Sequence, residues 1–234
     1  MTQSDPSVVQ AEYHDETRLA ARKAAHASGE GPDAREVLFA AIAEARPRRF
    51  LEVGCGEGEL AERVQRELGA EVVALDQSRR MVELTRARGV DARVGRAETL
   101  EFSDEEFDCV VAAWMLYHVA DLDAALGEIA RVVAQGGRFV AVTNGRDHCA
   151  ELYELIGRSG MQSRFRAEEA AGELALHFSR VERRDAHGWL VFADSGAAQA
   201  YVDSLVLLEG ARIPPVDGPI RVRRLPSIFV AEKT

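Results

Sequence analysis

Residues 51–58 read LEVGCGEG, a short apolar run that gives way to glycines at Gly54, Gly56 and Gly58. Together with Phe50, the residues Leu51 to Val53 predict a buried strand whose carboxyl end opens into a glycine-rich turn. Glycine lets the backbone turn sharply and approach a ligand with no Cβ in the way. Open α/β sheets bind ligands at that end of their strands, near the point where strand order reverses. Three ligand classes use such a loop. A P-loop ends in Gly-Lys-Ser/Thr, and nothing of that kind follows Gly58. A dinucleotide fingerprint, G-x-G-x-x-G, needs glycine at position 59, where this chain has Glu59. Glu57 and Glu59 would also repel a pyrophosphate seated on the helix N-terminus.

Outward from the loop, strands and helices alternate. Asp33 is an N-cap for a helix AREVLFAAIAEA (34–45), which Pro47 ends. Glu59–Leu68 predicts a helix, EVVALD (71–76) a strand, and Ser78 caps a helix running to Arg88. VDARV (90–94) and FDCVVAAW (107–114) read as strands, the second with the solid apolar run of a strand buried on both faces. Asp121 caps LDAALGEIARVV, and Gly136 and Gly137 are expected to break that helix before the strand RFVAVT. This rhythm means parallel βαβ units with right-handed crossovers. Beyond Asn144 it loosens: helices are expected at Asp147–Arg158, Arg166–His177 and Ala197–Leu208, and strands at 181–186 and 189–192. RLPSIFVAEK closes the chain as an edge strand, with Arg221, Arg223 and Arg224 as charges guarding that edge against aggregation. A helix over Tyr13–His26 precedes the whole.

The second marker is Asp76, ending its strand 22 residues after Gly54. A carboxylate there accepts both ribose hydroxyl protons of an adenosine. Loop, strand-end acid and rhythm together ask for an adenosine-bearing ligand without phosphate, and S-adenosylmethionine is that ligand.

The stretch from about Arg49 to Thr143 resembles the core of class I S-adenosylmethionine-dependent methyltransferases, most of all the small-molecule group that includes quinone and natural-product enzymes. The resemblance rests on LEVGCGEG (51–58), VALDQS (73–78), GRAETLEF (95–102), FDCVVAAWMLYHV (107–119) and GGRFVAVT (136–143). It implies a doubly wound, Rossmann-like α/β sheet of seven strands, mostly parallel with the last antiparallel. An N-terminal helical lid and a helical insert would be added to it. The expected organisation is an N-terminal segment and lid helix (1–32) and a methyltransferase domain (33–234). That domain divides into a core at 49–145, substrate-side additions at 146–220 and a closing strand at 221–232.

The resemblance also assigns residues. Glu52 would sit near the methionine amino group, and the backbone of Gly54, Cys55 and Gly56 would line the methionine and ribose. Asp76 would hold the ribose hydroxyls and Gln77 would flank the adenine face. Ala97 would offer its N–H to the adenine, and the Ala113 carbonyl would help hold the amino group. One position departs from the family: Arg96 stands where an Asp usually accepts from the adenine amino group. Arginine has only donors, so either Glu98 or a backbone carbonyl substitutes, or Arg96 stacks on the purine.

Methyl transfer from a sulfonium needs alignment and exclusion of water more than acid–base chemistry. A base helps when the acceptor is a hydroxyl or carbon acid. His118 is the candidate base and Tyr117 a second; the alternative for His118 is a loop anchor bonded to backbone. Trp114 and Met115 are candidate walls of an acceptor pocket, with ordinary core packing the alternative for Trp114. Tyr13 and Arg18 are lid candidates, Arg18 toward the methionine carboxylate, against the alternative of a solvated helix. Residues 112–115 lack the Asn/Asp-Pro-Pro-aromatic element that holds planar amino groups, which weighs against methylation of bases or glutamine.

Composition excludes several functions. With 39 acidic against 29 basic residues the net charge is −10, unsuited to a phosphate-backbone binder. The longest apolar stretch, Cys109 to Tyr117, is far short of the ~20 residues of a spanning helix. Cys55, Cys109 and Cys149 have neither disulfide nor zinc spacing, and Cys55 reads as a small filler. The first residues, MTQSDPSVVQ, lack the regions of a signal peptide, so the cytoplasm is expected. The expected protein is a metal-free methyltransferase with a small-molecule acceptor, partnered by neither nucleic acid nor membrane. The alternatives are a methyltransferase acting on protein or RNA, which would need a basic groove, and a non-catalytic cofactor-binding scaffold.

Overall fold

The computed structural model describes Arg22, Ala25 and residues 29–160 and 163–234. Arg22 and Ala25 are helical, but Tyr13, Arg18 and most of the expected lid helix lie outside the described residues.

The first described helix, α1 (Ala34–Ala45), starts where expected because the Asp33 side chain accepts from Arg35 N at 2.8 Å. It leads into β1 (Arg49–Val53), α2 (Glu59–Leu68), β2 (Glu71–Asp76), α3 (Arg79–Ala87), β3 (Asp91–Val94) and β4 (Phe107–Ala113). Ser78 caps α3 and Asp121 caps α4 (Leu122–Val132). Next come β5 (Val133–Asn144), α5 (Ala150–Leu155), α6 (Ala170–Ala175), β6 (Arg180–Asp185), β7 (Gly188–Phe192) and α7 (Ser195–Asp203). The chain ends with β8 (Ile220–Arg224) and β9 (Pro226–Glu232).

The main sheet has seven strands in the order β3-β2-β1-β4-β5-β9-β6. β9 runs antiparallel to both of its neighbours, and the pairs from β3 to β5 are parallel. The sheet is the Rossmann-like, doubly wound one anticipated. Its core is apolar on both faces: Leu51, Val53, Val110 and Phe139 belong to one cluster, and Phe50, Cys109, Val111 and Val140 to the other. Strand order reverses between β1 and β4, and that reversal positions the site.

Three expectations change. α4 is not broken by the paired glycines: it passes straight into β5 at Val133, and Gly136 and Gly137 lie inside the strand. β-Branched Val133 pairs with Phe107, and the register then jumps to Cys109 opposite Arg138. Gly136, at φ 72°, supplies the left-handed residue of this irregularity. The closing stretch is not an edge strand either. β9 lies between β5 and β6, and β6 with its alternating Arg and Glu residues takes the edge.

Third, the closing stretch divides at Leu225. β8 leaves the main sheet and pairs with β7 in a separate two-stranded sheet. A third apolar cluster, including Leu152, Leu190, Val202 and Val222, packs there with α5 and α7, and Ala25 rests against it. The arginines of β8 are therefore not edge charges. Arg221 pairs with Glu30 at 2.6 Å, Arg223 meets Glu151, and buried Arg224 donates to the Pro32 carbonyl at 2.6 Å.

Candidate functional site

A cleft of about 500 Å³ opens at the carboxyl ends of β3, β2, β1 and β4, at the reversal of strand order. Its floor is the glycine loop after β1. The N–H groups of Gly54 and Cys55 both donate to the Leu75 carbonyl, at 2.7 and 3.0 Å, which ties the loop to β2. Gly54 and Gly58 are required by packing as well as by positive φ. A Cβ on Gly54 would stand 2.7 Å from Met115 Cγ, and one on Gly58 2.6 Å from Thr85 Cγ2. Gly56 differs: its φ is 54°, and a Cβ would meet nothing within 4 Å. The middle glycine is thus the one that faces open space.

Thr85 was not anticipated. It is fully buried on α3, and its hydroxyl donates to the Gly56 carbonyl at 3.0 Å and lies 3.5 Å from Cys55 Sγ. Its only signal in the sequence is one small hydroxyl among the charged residues of 79–87. Burial pushes the Cys55 thiol far above its ordinary value, which suits a filler and not a nucleophile.

Two of the cleft's acids stand at the carboxyl ends of β1 and β2. Glu52 is 4% exposed, and its Oε2 has no hydrogen-bond partner. Burial pushes its carboxyl up to about 8 against the pull of the Ala61 N–H in the first turn of α2, and the nearby Asp76 adds to the rise. Asp76, at the end of β2, is held from two sides: Gly56 N donates to Oδ2 at 3.0 Å and Ser78 N to Oδ1 at 2.9 Å. Burial raises its carboxyl too, opposed by those backbone N–H groups.

The remaining expected residues fall around these acids. Gln77, Arg96, Ala97 and Glu98 line the β2–β3 side of the cleft, and Ala113, Trp114, Met115 and His118 the β4 side. Arg96 Nη2 reaches Glu98 Oε1 at 3.1 Å, with Glu98 the more buried of the two. Trp114 lines the cleft while also packing against the apolar cluster below, and its φ of 53° is left-handed. The His118 N–H donates to the Met115 carbonyl at 2.8 Å. Tyr117 does not line the cleft; it packs against the apolar cluster on the other sheet face, edge-on to His118.

The opposite wall was missed at the sequence level. Asp33, Arg35, Glu36 and Leu38 of the α1 start join Arg63 of α2 there. Arg63 forks onto Glu36 at 2.6 and 2.8 Å, and Arg35 faces Glu59 at 3.9 Å. Nothing in the local pattern marks these residues, since α1 reads as an ordinary amphipathic helix. Among the described residues no group of His, Cys, Asp and Glu could hold a metal ion, and no helix is long and apolar enough to cross a membrane.

This sheet order, with one antiparallel strand and a glycine-loop cleft at the reversal, is a Rossmann-like fold shared with solved S-adenosylmethionine-dependent methyltransferases. Residues 51–141 match the family model described as a methyltransferase domain. It is 38% identical over 135 residues to an uncharacterized methyltransferase of Mycobacterium tuberculosis, covering 55% of this chain and 53% of that protein. It is 38% identical over 117 residues to a ubiquinone biosynthesis O-methyltransferase of Alkalilimnicola ehrlichii, covering 47% of each. The chain therefore spans about half the length of the curated relatives it matches. In fold it resembles phosphoethanolamine N-methyltransferase 2 of Haemonchus contortus, solved with S-adenosylhomocysteine. The TM-score is 0.65 at 16% identity, over 100% of this chain and 60% of that one.

Proposed function

We propose that this protein is an S-adenosylmethionine-dependent methyltransferase with a small-molecule acceptor. The observation that carries the reading is the unpartnered Glu52 Oε2, buried in the same cleft as Asp76. A buried carboxylate oxygen with nothing to accept from is costly unless a ligand supplies the donor, and the ammonium of S-adenosylmethionine is such a donor. The residues present fit that cofactor.

Strand order supports roles for the rest of the cleft. Neighbouring strands lie ~4.8 Å apart, so a ligand with its ammonium at the end of β1 places its ribose at β2, where Asp76 stands. Its base then falls toward Gln77, Arg96, Ala97 and Glu98 beyond β3. The N–H groups of Gly56 and Ser78 hold the Asp76 carboxylate rigid for the ribose hydroxyls. Ala113 lines the cleft at the end of β4, next to β1, and its carbonyl is the further acceptor for the amino end. When bound, S-adenosylmethionine supplies an activated methyl and its own leaving group. The protein then has to orient the acceptor and keep out water. Trp114 and Met115 form the acceptor wall, and His118 takes the proton when the acceptor is a hydroxyl.

A small acceptor is supported by the cleft volume, which falls in the usual range of small-molecule sites, and by a net charge of −10. Relatives named for quinone biosynthesis point the same way. Three free, buried cysteines suit a cytoplasmic setting. Calorimetric titration with S-adenosylmethionine, S-adenosylhomocysteine and NAD tests the cofactor. Micromolar binding of the first two and none of NAD is expected; the reverse, or no binding at all, sinks the reading. His118→Ala should leave that binding intact and slow transfer to a hydroxyl acceptor by ~10²-fold. An unchanged rate would make His118 a loop anchor.

A further inference from the structure

Most charged side chains of the cleft have a visible counterpart. Arg35 faces Glu59, Arg63 faces Glu36, Arg96 faces Glu98, and Asp76 is held by two backbone donors. Glu52 stands apart. Among the described residues no ion pair reaches it, and its Oε2 is sealed from solvent with no partner. Its neighbours across the sheet, Ala74 on β2 and Val111 on β4, carry no charge.

The groups that do face Glu52 pull in opposite directions. The Ala61 N–H, from the first turn of α2, favours the charged form, whereas Asp76 from β2 disfavours it. Cys55, from the glycine loop, is a neutral thiol there. On the cleft walls Arg35 and Arg63 are each neutralised by an acid, and His118 stands across on the β4 side. An isolated buried carboxylate is costly enough that such a group neutralises instead.

We infer that Glu52 holds a proton while the cleft is empty and releases it when the ammonium group of a ligand arrives, so that each ligand captured through this residue expels one proton. The balance is simple. A neutral carboxylic acid and a cationic ammonium become a carboxylate–ammonium pair, and one proton leaves to solvent. No covalent bond other than the O–H bond breaks. The inference rests on the proposed reading that the cleft takes S-adenosylmethionine. It adds a mode of selection: the site charges itself only for ligands that bring a cation. Burial that raises the carboxyl to about 8 agrees with the geometry.

Titration calorimetry at pH 6.5, repeated in buffers of different ionisation enthalpy, counts the protons released. At that pH an α-amino group is protonated, its ordinary pKa being ~7.7–8.0. S-adenosylhomocysteine should release close to one proton per molecule bound. 5′-Methylthioadenosine, which keeps the adenosine but lacks the ammonium, should bind and release close to none. Glu52→Gln resembles the protonated acid in shape, and it should bind S-adenosylhomocysteine with almost no release. Three results would overturn the inference: no release by the unaltered protein on binding S-adenosylhomocysteine, equal release by both ligands, or undiminished release in Glu52→Gln. The last two would shift the proton to Asp76 or elsewhere. Should the variant fail to fold, the comparison of the two ligands on the unaltered protein still decides. Failure to bind S-adenosylhomocysteine at all would be a different outcome: it removes the cofactor reading, and the inference with it.

Discussion

The cleft and the small β7–β8 sheet differ in what their buried and strained groups face. At the ends of β1, β2 and β4 the chain buries Glu52 with an unpartnered oxygen and turns Gly54, Gly56, Gly58 and Trp114 into left-handed backbone. The small sheet, with α5 and α7, is an ordinary apolar core. Leu152, Leu190, Val202 and Val222 are fully buried, and the three arginines of β8 each find a partner within the chain. In the cleft the unpartnered oxygen and the left-handed turns face space that a ligand can fill, a pattern expected of functional sites, whereas the left-handed Cys149 and the unpartnered Nε of Arg224 beside the small sheet are enclosed by the chain itself. The small sheet contributes stability instead, and it ties the segment entering α1 to the rest of the fold through Glu30 and Pro32.

The largest test of this contrast is Glu52→Gln without ligand. The native carboxyl titrates near 8 and the unfolded one near its ordinary 4.5, so the native state binds more protons across that window. Stability from this group is full below about 4.5, declines as pH rises, and is lost by about 8. A neutral glutamine removes the decline. The variant should therefore gain on the parent by on the order of 4 kcal/mol between pH 5 and pH 9, read by urea unfolding at both. An equal difference at the two pH values would mean that Glu52 does not titrate in this range.

Leu190→Ala probes the other region. Leu190 is 0% exposed, opposite Val222, and its truncation should cost about 2–5 kcal/mol through lost burial and a residual cavity. Affinity for S-adenosylhomocysteine should stay within about twofold. A large loss of affinity would show that the two regions are coupled and break the comparison. Asp76→Asn should act mainly on binding. It removes the charge that Gly56 and Ser78 hold in place, weakening S-adenosylhomocysteine by about 10- to 100-fold, and because the amide has one acceptor oxygen for two backbone donors it should also cost about 1–3 kcal/mol in urea unfolding. Unchanged affinity would take Asp76 out of the site.

These two regions were not equally legible in the sequence. From β1 to β4 the elements followed the pattern within a residue or two, because continuous apolar strands, capped helices and a glycine turn are all local signals. Asp76 was visible for the same reason, since it closes a strand whose identity is plain, whereas Glu52, one residue before the end of β1, was singled out by the family resemblance. The errors came where a long-range partner decides. Gly136 and Gly137 look like a helix stop, yet pairing of β5 with β4 absorbs them as an irregular strand. Residues 221–232 look like one closing strand, but only tertiary pairing sends β8 to β7 and β9 between β5 and β6. Arg35 and Arg63 reach the cleft, and Thr85 the glycine loop beneath it, from helices whose own pattern shows nothing but amphipathic surface.

The smallest effect sharpens the contrast most directly, because it isolates backbone strain from packing. Trp114 sits at φ 53° where β4 ends, its N–H tied to the Val142 carbonyl at 3.0 Å. Left-handed backbone costs a residue with a Cβ roughly 1–2 kcal/mol and costs glycine almost nothing. Trp114→Ala and Trp114→Gly lose the same indole contacts, and they differ only in the Cβ. In an ordinary strand or helix the alanine variant would be the more stable by about 0.5–1 kcal/mol. Here the order should invert, with glycine ahead by about 1 kcal/mol in urea unfolding. If alanine remains ahead, the backbone at 114 relaxes once the indole is gone, and the strain belongs to the side chain's place on the cleft wall rather than to the turn itself.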